Sequence, residues 1–285
     1  MKQKIVVLYH GDCPDGFGAA WAARKKFGSR AVYLPLHYDD LIPPEVKGAE
    51  VYLLDFGIHE RELEAIIKQA GSFVFVDHHE SSKALLHLIE NKIFDTKHSG
   101  SALAWRYFNP SKPLPKLLRY VEMRDLWKFK TERDYWIAAA LELLPHDFRA
   151  WDVAERDFKN ALSFKKILGE GRVLRQKTLS QVQDLLKRVS DGIFENLSVG
   201  ILNSSLLQDQ AGNEIVKRGY DAALIWYATE EGVKVSLRGQ GRANLAEISS
   251  RYGGGGHPNA SGFRLKEGQV FPWQYTHQPL LWEKK

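Results

Sequence analysis

The chain contains a single cysteine, Cys13, and only two methionines among its 285 residues. One thiol cannot build an internal disulfide framework, which fits a reducing compartment. No apolar run is long enough to span a bilayer. The opening MKQKIVVLYHGDCPDG has a short apolar stretch but meets acidic residues where a secretory leader needs small ones, so Ile5 to Tyr9 is read as a buried strand. Internal repeats and low-complexity segments are also lacking. Neither charge dominates: 40 Lys and Arg against 35 Asp and Glu leave a net charge of +5. That mild excess favours acidic partners such as nucleotides, yet the basic residues are scattered and form no long stripe that would follow a polymer backbone. Together these absences lead us to expect a soluble, cytoplasmic, globular protein with no membrane partner. What is present is a 44% hydrophobic content, enough for one large domain or two smaller ones with their own cores.

The first part alternates strand and helix. Lys4 to Tyr9 is β-rich, Gly16 to Phe27 has helical composition, and Ala31 to Pro35 is short and extended. Val51 to Leu54 is an apolar run ending at Asp55, followed by the amphipathic stretch HERELEAIIKQA; Phe73 to Val76 is another run, ending at Asp77. Repeated strand–turn–helix units with fully apolar strands predict an α/β fold with a parallel sheet. From Ser99 to about Leu144 the pattern turns helical. Residues 151–190 keep helical spacing, interrupted by Gly169 and Gly171, and are expected to connect a domain over 1–150 to a smaller α/β domain over 191–285. In the latter, Leu197 to Leu202 reads as a strand, and DAALIWYATEEGVKVSLRG as a hairpin turning near Glu231-Gly232. A short helix around Asn244 to Arg251 runs into four glycines, and Phe263 to Leu265 returns as a strand. No function attaches to the aromatic tail FPWQYTHQPLLWEKK.

In parallel α/β sheets, functional groups gather just past the carboxyl ends of the strands. Here three expected strands end in metal-binding chemistry: the first leads into His10-Gly11-Asp12-Cys13-Pro14-Asp15-Gly16, the second ends at Asp55, and the third at Asp77-His78-His79. Singly, each has an ordinary alternative, since an Asp after a strand is often a helix N-cap and a loop His pair is often solvated. On one rim, mixed carboxylates and imidazoles suit divalent cations such as Mn²⁺, which also relieve the crowding of like charge.

The run Val76-Asp77-His78-His79 resembles the signature of the DHH phosphoesterases. The other pieces follow in that family's order: HGDCPDG, LLDFG, VDHH, and Asp125 in EMRDLW after a helical stretch. The glycine run Gly253-Gly254-Gly255-Gly256-His257, continuing PNASGF, resembles the mark of the DHH-associated domain. The resemblance covers about residues 4 to 265. It implies two divalent cations, Mn²⁺ with Mg²⁺ or Co²⁺ as alternatives. His10 and Asp12 would hold one and Asp15 the other, with Asp55 bridging and His78 and Asp125 completing the second. His79 would face a substrate phosphate or support the metal ligands, and Asp77 would orient the histidines; Asp55, His78, His79 and Asp77 thus form the implied catalytic set. The departure from the family is the spacing of Asp12 and Asp15, which Cys13 and Pro14 separate by one residue more than usual. Cys13 is read as a packing residue.

The resemblance also implies substrate-binding roles for Arg238, for Gly254, Gly255, Gly256 and His257 as a glycine cradle for phosphate, and for Ser99 and Ser101 at a helix start. Plain N-capping is the alternative for the serines, and a solvated surface side chain for Arg238. Tyr9, Trp21, Trp105 and Tyr252 are aromatics that could stack a base, with core packing the favoured role for each. The expected activity is metal-dependent hydrolysis of short oligonucleotides to mononucleotides, by attack of a hydroxide held between two ions. Cyclic nucleotide or dinucleotide cleavage and adenosine 3′,5′-bisphosphate phosphatase activity are the alternatives. A pyrophosphatase and a non-catalytic nucleotide-binding protein rank lower. The expected partner is short single-stranded RNA or DNA, or a small nucleotide; a homodimer stays open.

Overall fold

The computed structural model describes residues 3–11, 13–37 and 40–276. Two compact units divide the chain, Met1–Arg175 and Gln176–Lys285. In the first, β1 (Ile5–His10), α1 (Pro14–Phe27), β2 (Ala31–Leu36), β3 (Glu50–Leu54), α2 (Glu60–Gln69), β4 (Ser72–Asp77) and β5 (Lys92–Phe94) build a five-stranded sheet. Its order is β2-β1-β3-β4-β5, and every pairing is parallel. Alternation along the strands divides the core. Val7, Tyr9, Tyr52, Leu54 and Val76 join one apolar cluster, with Phe17, Trp21 and Trp105. Val6, Leu8, Val51, Leu53 and Phe75 join the other, with Leu63 and Ile66 of α2. With apolar side chains packed on both faces, the carboxyl ends of the strands are where polar chemistry can sit.

α1 starts at Pro14, two residues earlier than expected. Cys13 Sγ accepts from Gly16 N at 3.3 Å and proline occupies the first helical turn, so the loop residues fold into the helix. Next come α3 (Gly100–Phe108), α4 (Lys116–Asp125), α5 (Glu132–Leu141), α6 (Phe148–Lys159) and α7 (Ala161–Leu186). The helical segment expected as a connector is divided. Trp151 and Phe158 of α6 and Phe164 of α7 are buried in the first unit's core, and the unit boundary falls inside α7. Gly169 and Gly171 do not interrupt α7. A Cβ on Gly171 would lie 1.9 Å from the Trp136 carbonyl oxygen, so glycine lets α7 approach α5 closely.

The second unit holds β6 (Ser190–Phe194), β7 (Leu197–Asn203), α8 (Gln208–Lys217), β8 (Ala222–Thr229), β9 (Gly232–Gly239), α9 (Leu245–Ser250), β10 (Gly255–His257), β11 (Ala260–Leu265) and β12 (Gln274–Tyr275). Its seven-stranded sheet runs β10-β11-β9-β8-β7-β6-β12 and is mixed: only β7 and β8 pair in parallel, across the α8 crossover. The expected hairpin is β8–β9, with Thr229 opposite Gly232. The short helix expected around Asn244 to Arg251 is α9, which Asn244 caps. The aromatic tail contributes β12 on the sheet edge and a Trp226–Phe271–Trp273 cluster; its last nine residues lie outside the described ones. Tyr9, Trp21 and Trp105 are core residues, and Tyr252 stacks on Phe263 at 4.6 Å.

Candidate metal centre

The rim of the parallel sheet brings together residues from five separate segments. His10 ends β1, Asp15 lies in the first turn of α1, Asp55 follows β3, Asp77 ends β4 with His78 and His79 beyond it, and Asp125 ends α4. Asp12 lies outside the described residues. Asp15, Asp55, Asp77 and His78 are all at most 2% exposed, a burial that carboxylates reach only when something compensates their charge. His78 Nε2 lies 3.1 Å from Asp55 Oδ1, 3.6 Å from Asp125 Oδ2 and 3.7 Å from Asp15 Oδ2. A second group, His10, Cys13 and Asp55, and a third, Asp55, Asp77 and His79, each offer ligand atoms within 4.8 Å of one another. Asp55 belongs to all three.

Local structure explains why these side chains converge. Asp55 has φ 54°, a left-handed conformation uncommon outside glycine, and its N–H donates to Val76 O at 2.8 Å. That kink ends the strand and turns the carboxylate onto the rim. Two glycines make room. A Cβ on Gly16 would stand 2.1 Å from His10 O, and one on Gly100 would stand 2.4 Å from Asp55 Oδ1. Only glycine at these positions lets α1 and α3 start so close to the strand ends.

Ser99 caps α3 through Ala102 N, as the ordinary reading of that serine expects, and its hydroxyl lies 3.1 Å from that of Ser101. Ser101 N donates to Asp15 Oδ1 at 3.2 Å, so the start of α3 fixes Asp15. His79 Nδ1 lies 2.7 Å from Asp77 Oδ1, while Ser82 Oγ donates to Asp77 Oδ2 at 2.5 Å. Asp77 therefore orients His79 directly. Three contributors escape sequence reading. Ser82 and Gly100 carry no signal of their own, whereas Glu122 shares a helix face with Asp125 at i,i+3 spacing and could have been found. Glu122 Oε1 lies 2.9 Å from His98 Nδ1 and accepts from Ser99 N at 3.4 Å, tying α4 to α3.

The electrostatics follow from the crowding. Burial first, then the neighbouring Asp15 charge, pushes Asp55 well above the usual carboxylate range. The same two causes push Asp125 up to about 7. Asp77 goes the other way: burial opposes its ionisation, but the charge and hydrogen bond of His79 hold it down at about 2. Against burial, Asp77 in turn raises His79 to about 9, so this imidazole is cationic at neutral pH. Burial, then the charges of Asp55 and Asp15, pushes the Cys13 thiol up, which leaves Sγ a neutral capping group.

Asp15 Oδ2, Asp55 Oδ1 and Asp125 Oδ2 are buried and, among the described residues, accept no hydrogen bond. Each such group costs about 1–3 kcal/mol if left so. Buried oxygens that lack donors and converge on one imidazole fit a divalent cation, which would supply the missing charge.

The substrate-side expectations lie in the second unit. His257 on β10 pairs with Ala260 on β11, which pairs with Arg238 on β9, so His257 and Arg238 share one rung. Arg238 is not an ordinary solvated arginine: Nε donates to Asp209 Oδ1 at 3.1 Å, Nη2 bonds the same oxygen, and Nη1 donates to Leu237 O at 2.7 Å. The glycine run is less of a loop than expected. Gly255, Gly256 and His257 form strand β10, because Gly254 and Gly256 approach the β11 backbone so closely that a Cβ would stand 2.0 Å from Gly262 O and 2.6 Å from Ala260 O.

Residues 198–272 match the DHHA1 domain family. The chain is 29% identical over 288 residues to the uncharacterized protein R106 of Acanthamoeba polyphaga mimivirus, covering 91% of this chain and 67% of that protein. It is 24% identical over 252 residues to oligoribonuclease NrnB of Bacillus subtilis, covering 76% of this chain and 59% of that protein. Among solved structures, it aligns with the DHH domain of a member of the s1p family of ribosomal proteins at TM-score 0.60 and 13% identity, covering 93% of this chain and 83% of that one. RecJ of Thermus thermophilus, in complex with Mn²⁺, aligns at TM-score 0.52 and 14% identity, covering 93% of this chain and 50% of that one. These last two likenesses concern the fold. Residues 198–272 thus carry a DHHA1 domain, and with the strand-end Asp and His motifs on a parallel sheet and the NrnB relative, the chain is similar to the DHH phosphoesterases.

Proposed function

We propose that the protein is a metal-dependent phosphodiesterase that hydrolyses short oligonucleotides to mononucleotides. The observation that carries this reading is the convergence of Asp15 Oδ2, Asp55 Oδ1 and Asp125 Oδ2, buried and without hydrogen-bond donors among the described residues, on His78 Nε2. Asp15, Asp55, His78 and Asp125 would hold one divalent cation, with His10 and Asp55 contributing to a second. When bound, such ions place positive charge against a phosphoryl group and make water acidic enough to be a nucleophile near neutral pH.

The chain's own residues do the rest. His79, held cationic by Asp77, offers a proton and a positive charge to a phosphate oxygen. Asp77 fixes which ring nitrogen of His79 faces outward. The α3 start holds Asp15, and the Gly100 approach keeps Asp55 in its kinked position. Arg238, clamped by Asp209, and His257 on the same rung are assigned to binding substrate phosphate. The similarity to oligoribonuclease NrnB supports a short nucleic-acid substrate.

The test is hydrolysis with added Mn²⁺ across a panel: an RNA dinucleotide, a five-residue RNA, adenosine 3′,5′-bisphosphate, a cyclic dinucleotide and pyrophosphate. Release of mononucleotides from the two RNAs, abolished by chelation, is the expected result. Turnover restricted to pyrophosphate, or none at all with metal bound, overturns the reading.

A further inference from the structure

The basic residues look scattered along the chain, but the fold gathers many of them in one place away from the metal centre. Two adjoining grooves in the first unit, of about 910 and about 570 Å³, share Lys116 and Lys159. The larger is lined by Lys25, Lys112, Lys116, Arg119, Arg156 and Lys159, and the smaller adds Arg133 and Lys165. Against these eight cations stand two acids, Asp152 and Glu155. The other 32 basic and 33 acidic residues of the chain nearly cancel, so the whole positive excess of the protein resides here.

Both acids already have partners and structural duties. Asp152 bonds Lys25 and accepts from Trp21 Nε1 at 2.8 Å; Glu155 pairs with Lys159 at 2.7 Å and caps α4 by accepting from Leu117 N at 3.1 Å. Among the described residues, no carboxylate lies within ion-pair distance of the six other cations. Crowding six uncompensated like charges on one surface works against folding, and it is sustained where an anion supplies the opposite charge. Aromatic side chains line the grooves beside the charges. Tyr120 lines the larger groove and Trp136 the smaller, both partly exposed, and the Lys116 ammonium sits 3.8 Å from the centroid of Phe164. Adjoining cationic grooves lined with aromatic side chains have the chemistry that follows a sugar–phosphate backbone and stacks unpaired bases. α4 separates this surface from the metal centre: it begins at Lys116 in the grooves and ends at Asp125, nine residues or about 13 Å of helix further on.

We propose that the paired grooves are an accessory binding site for single-stranded nucleic acid, separate from the metal centre. The site stands on its own charges and is tested without turnover, so its failure and the failure of the hydrolase reading are distinguishable.

The experiment measures binding of a fluorescently labelled 12-nucleotide single strand to the full chain in chelator, across a range of salt concentrations. Wild type is compared with the triple variant Arg119→Glu/Arg156→Glu/Lys165→Glu and with its alanine counterpart. The three substituted side chains are exposed, and thermal unfolding checks that each variant folds. The expected result for the charge reversal is a loss of about tenfold or more in affinity. The log–log salt slope should fall by about 2, as three lost phosphate contacts on a single strand imply. The alanine variant should fall between. An unchanged affinity and slope in a folded charge-reversal variant overturns the proposal. So does tighter binding of duplex, or of an oligo-glutamate peptide, than of the single strand.

Discussion

The two units place polar chemistry on their sheets in opposite ways. In the first, an all-parallel sheet is covered on both faces, and its carboxylates collect at the strand ends, where Asp15, Asp55 and Asp125 each keep a buried oxygen that no donor among the described residues satisfies. In the second, a mixed sheet carries Arg238 and His257 on its strands, and Arg238 is already neutralised by Asp209. The first arrangement is chemically incomplete as folded; the second is complete in itself. A buried charge without a partner is costly, so its retention signals a ligand, whereas a paired charge is equally compatible with holding a sheet together.

The contrast is tested most severely at Asp55. Asparagine suits the left-handed backbone there and removes one buried charge. Asp55→Asn should therefore lower kcat by about a thousandfold or more in the Mn²⁺ assay, the scale of losing a core electrostatic group. In chelator it should also leave thermal stability equal to or above that of wild type. A clearly destabilised variant would mean that Asp55 serves the fold rather than an ion.

Metal should stabilise the protein. At about 100 times the dissociation constant a single site adds about 2.7 kcal/mol, readable as a rise in the unfolding midpoint. The metal-free baseline should itself depend on pH. Asp55 and Asp125 have raised folded-state values, Asp125 at about 7, and His79 is raised to about 9. Between pH 5 and 8 the folded state therefore binds more protons than the unfolded one, and stability falls as pH rises. Chelated protein should melt at lower temperature at pH 8 than at pH 5.5, and Mn²⁺ should close most of that gap. A baseline that rises with pH would contradict this electrostatic picture.

Gly100→Ala places a methyl against Asp55 Oδ1 and should reduce kcat by about 10–100-fold while far-ultraviolet circular dichroism stays unchanged, since a shift of about 1 Å suffices for such losses. The smallest effect is expected in the second unit. Asp209→Asn loosens Arg238 and should raise KM a few-fold with kcat nearly intact, at a stability cost within about 1 kcal/mol, because both partners are partly exposed. A fall in kcat as large as that of Gly100→Ala would show that the second unit takes part in the chemical step.

Much of this was readable beforehand. Apolar runs ending in Asp55 and Asp77 gave the parallel strands, and the spacing of HGDCPDG, LLDFG and VDHH marked the rim, because strand ends and their first loop residues are local features. Less was legible where contacts cross long separations. The start of α1 depended on the Cys13 cap, the burial of α6 on Trp151, and the strand pairing of Gly255–His257 on the backbone of β11. The basic grooves were invisible because their cations come from five helices and the loop before α4, with no run or period in the chain.

By itself, the sequence determined most element types, the strand-end motifs and which Asp and His side chains stand just past the strands, since each rests on hydrophobic period or on neighbours within a few residues. Only the tertiary structure decided which carboxylate oxygens were left without donors, how far Asp55 and Asp125 were pushed from ordinary acidity, and where the excess positive charge lies. Those depend on desolvation and on distances through space, and a linear order of residues does not contain them.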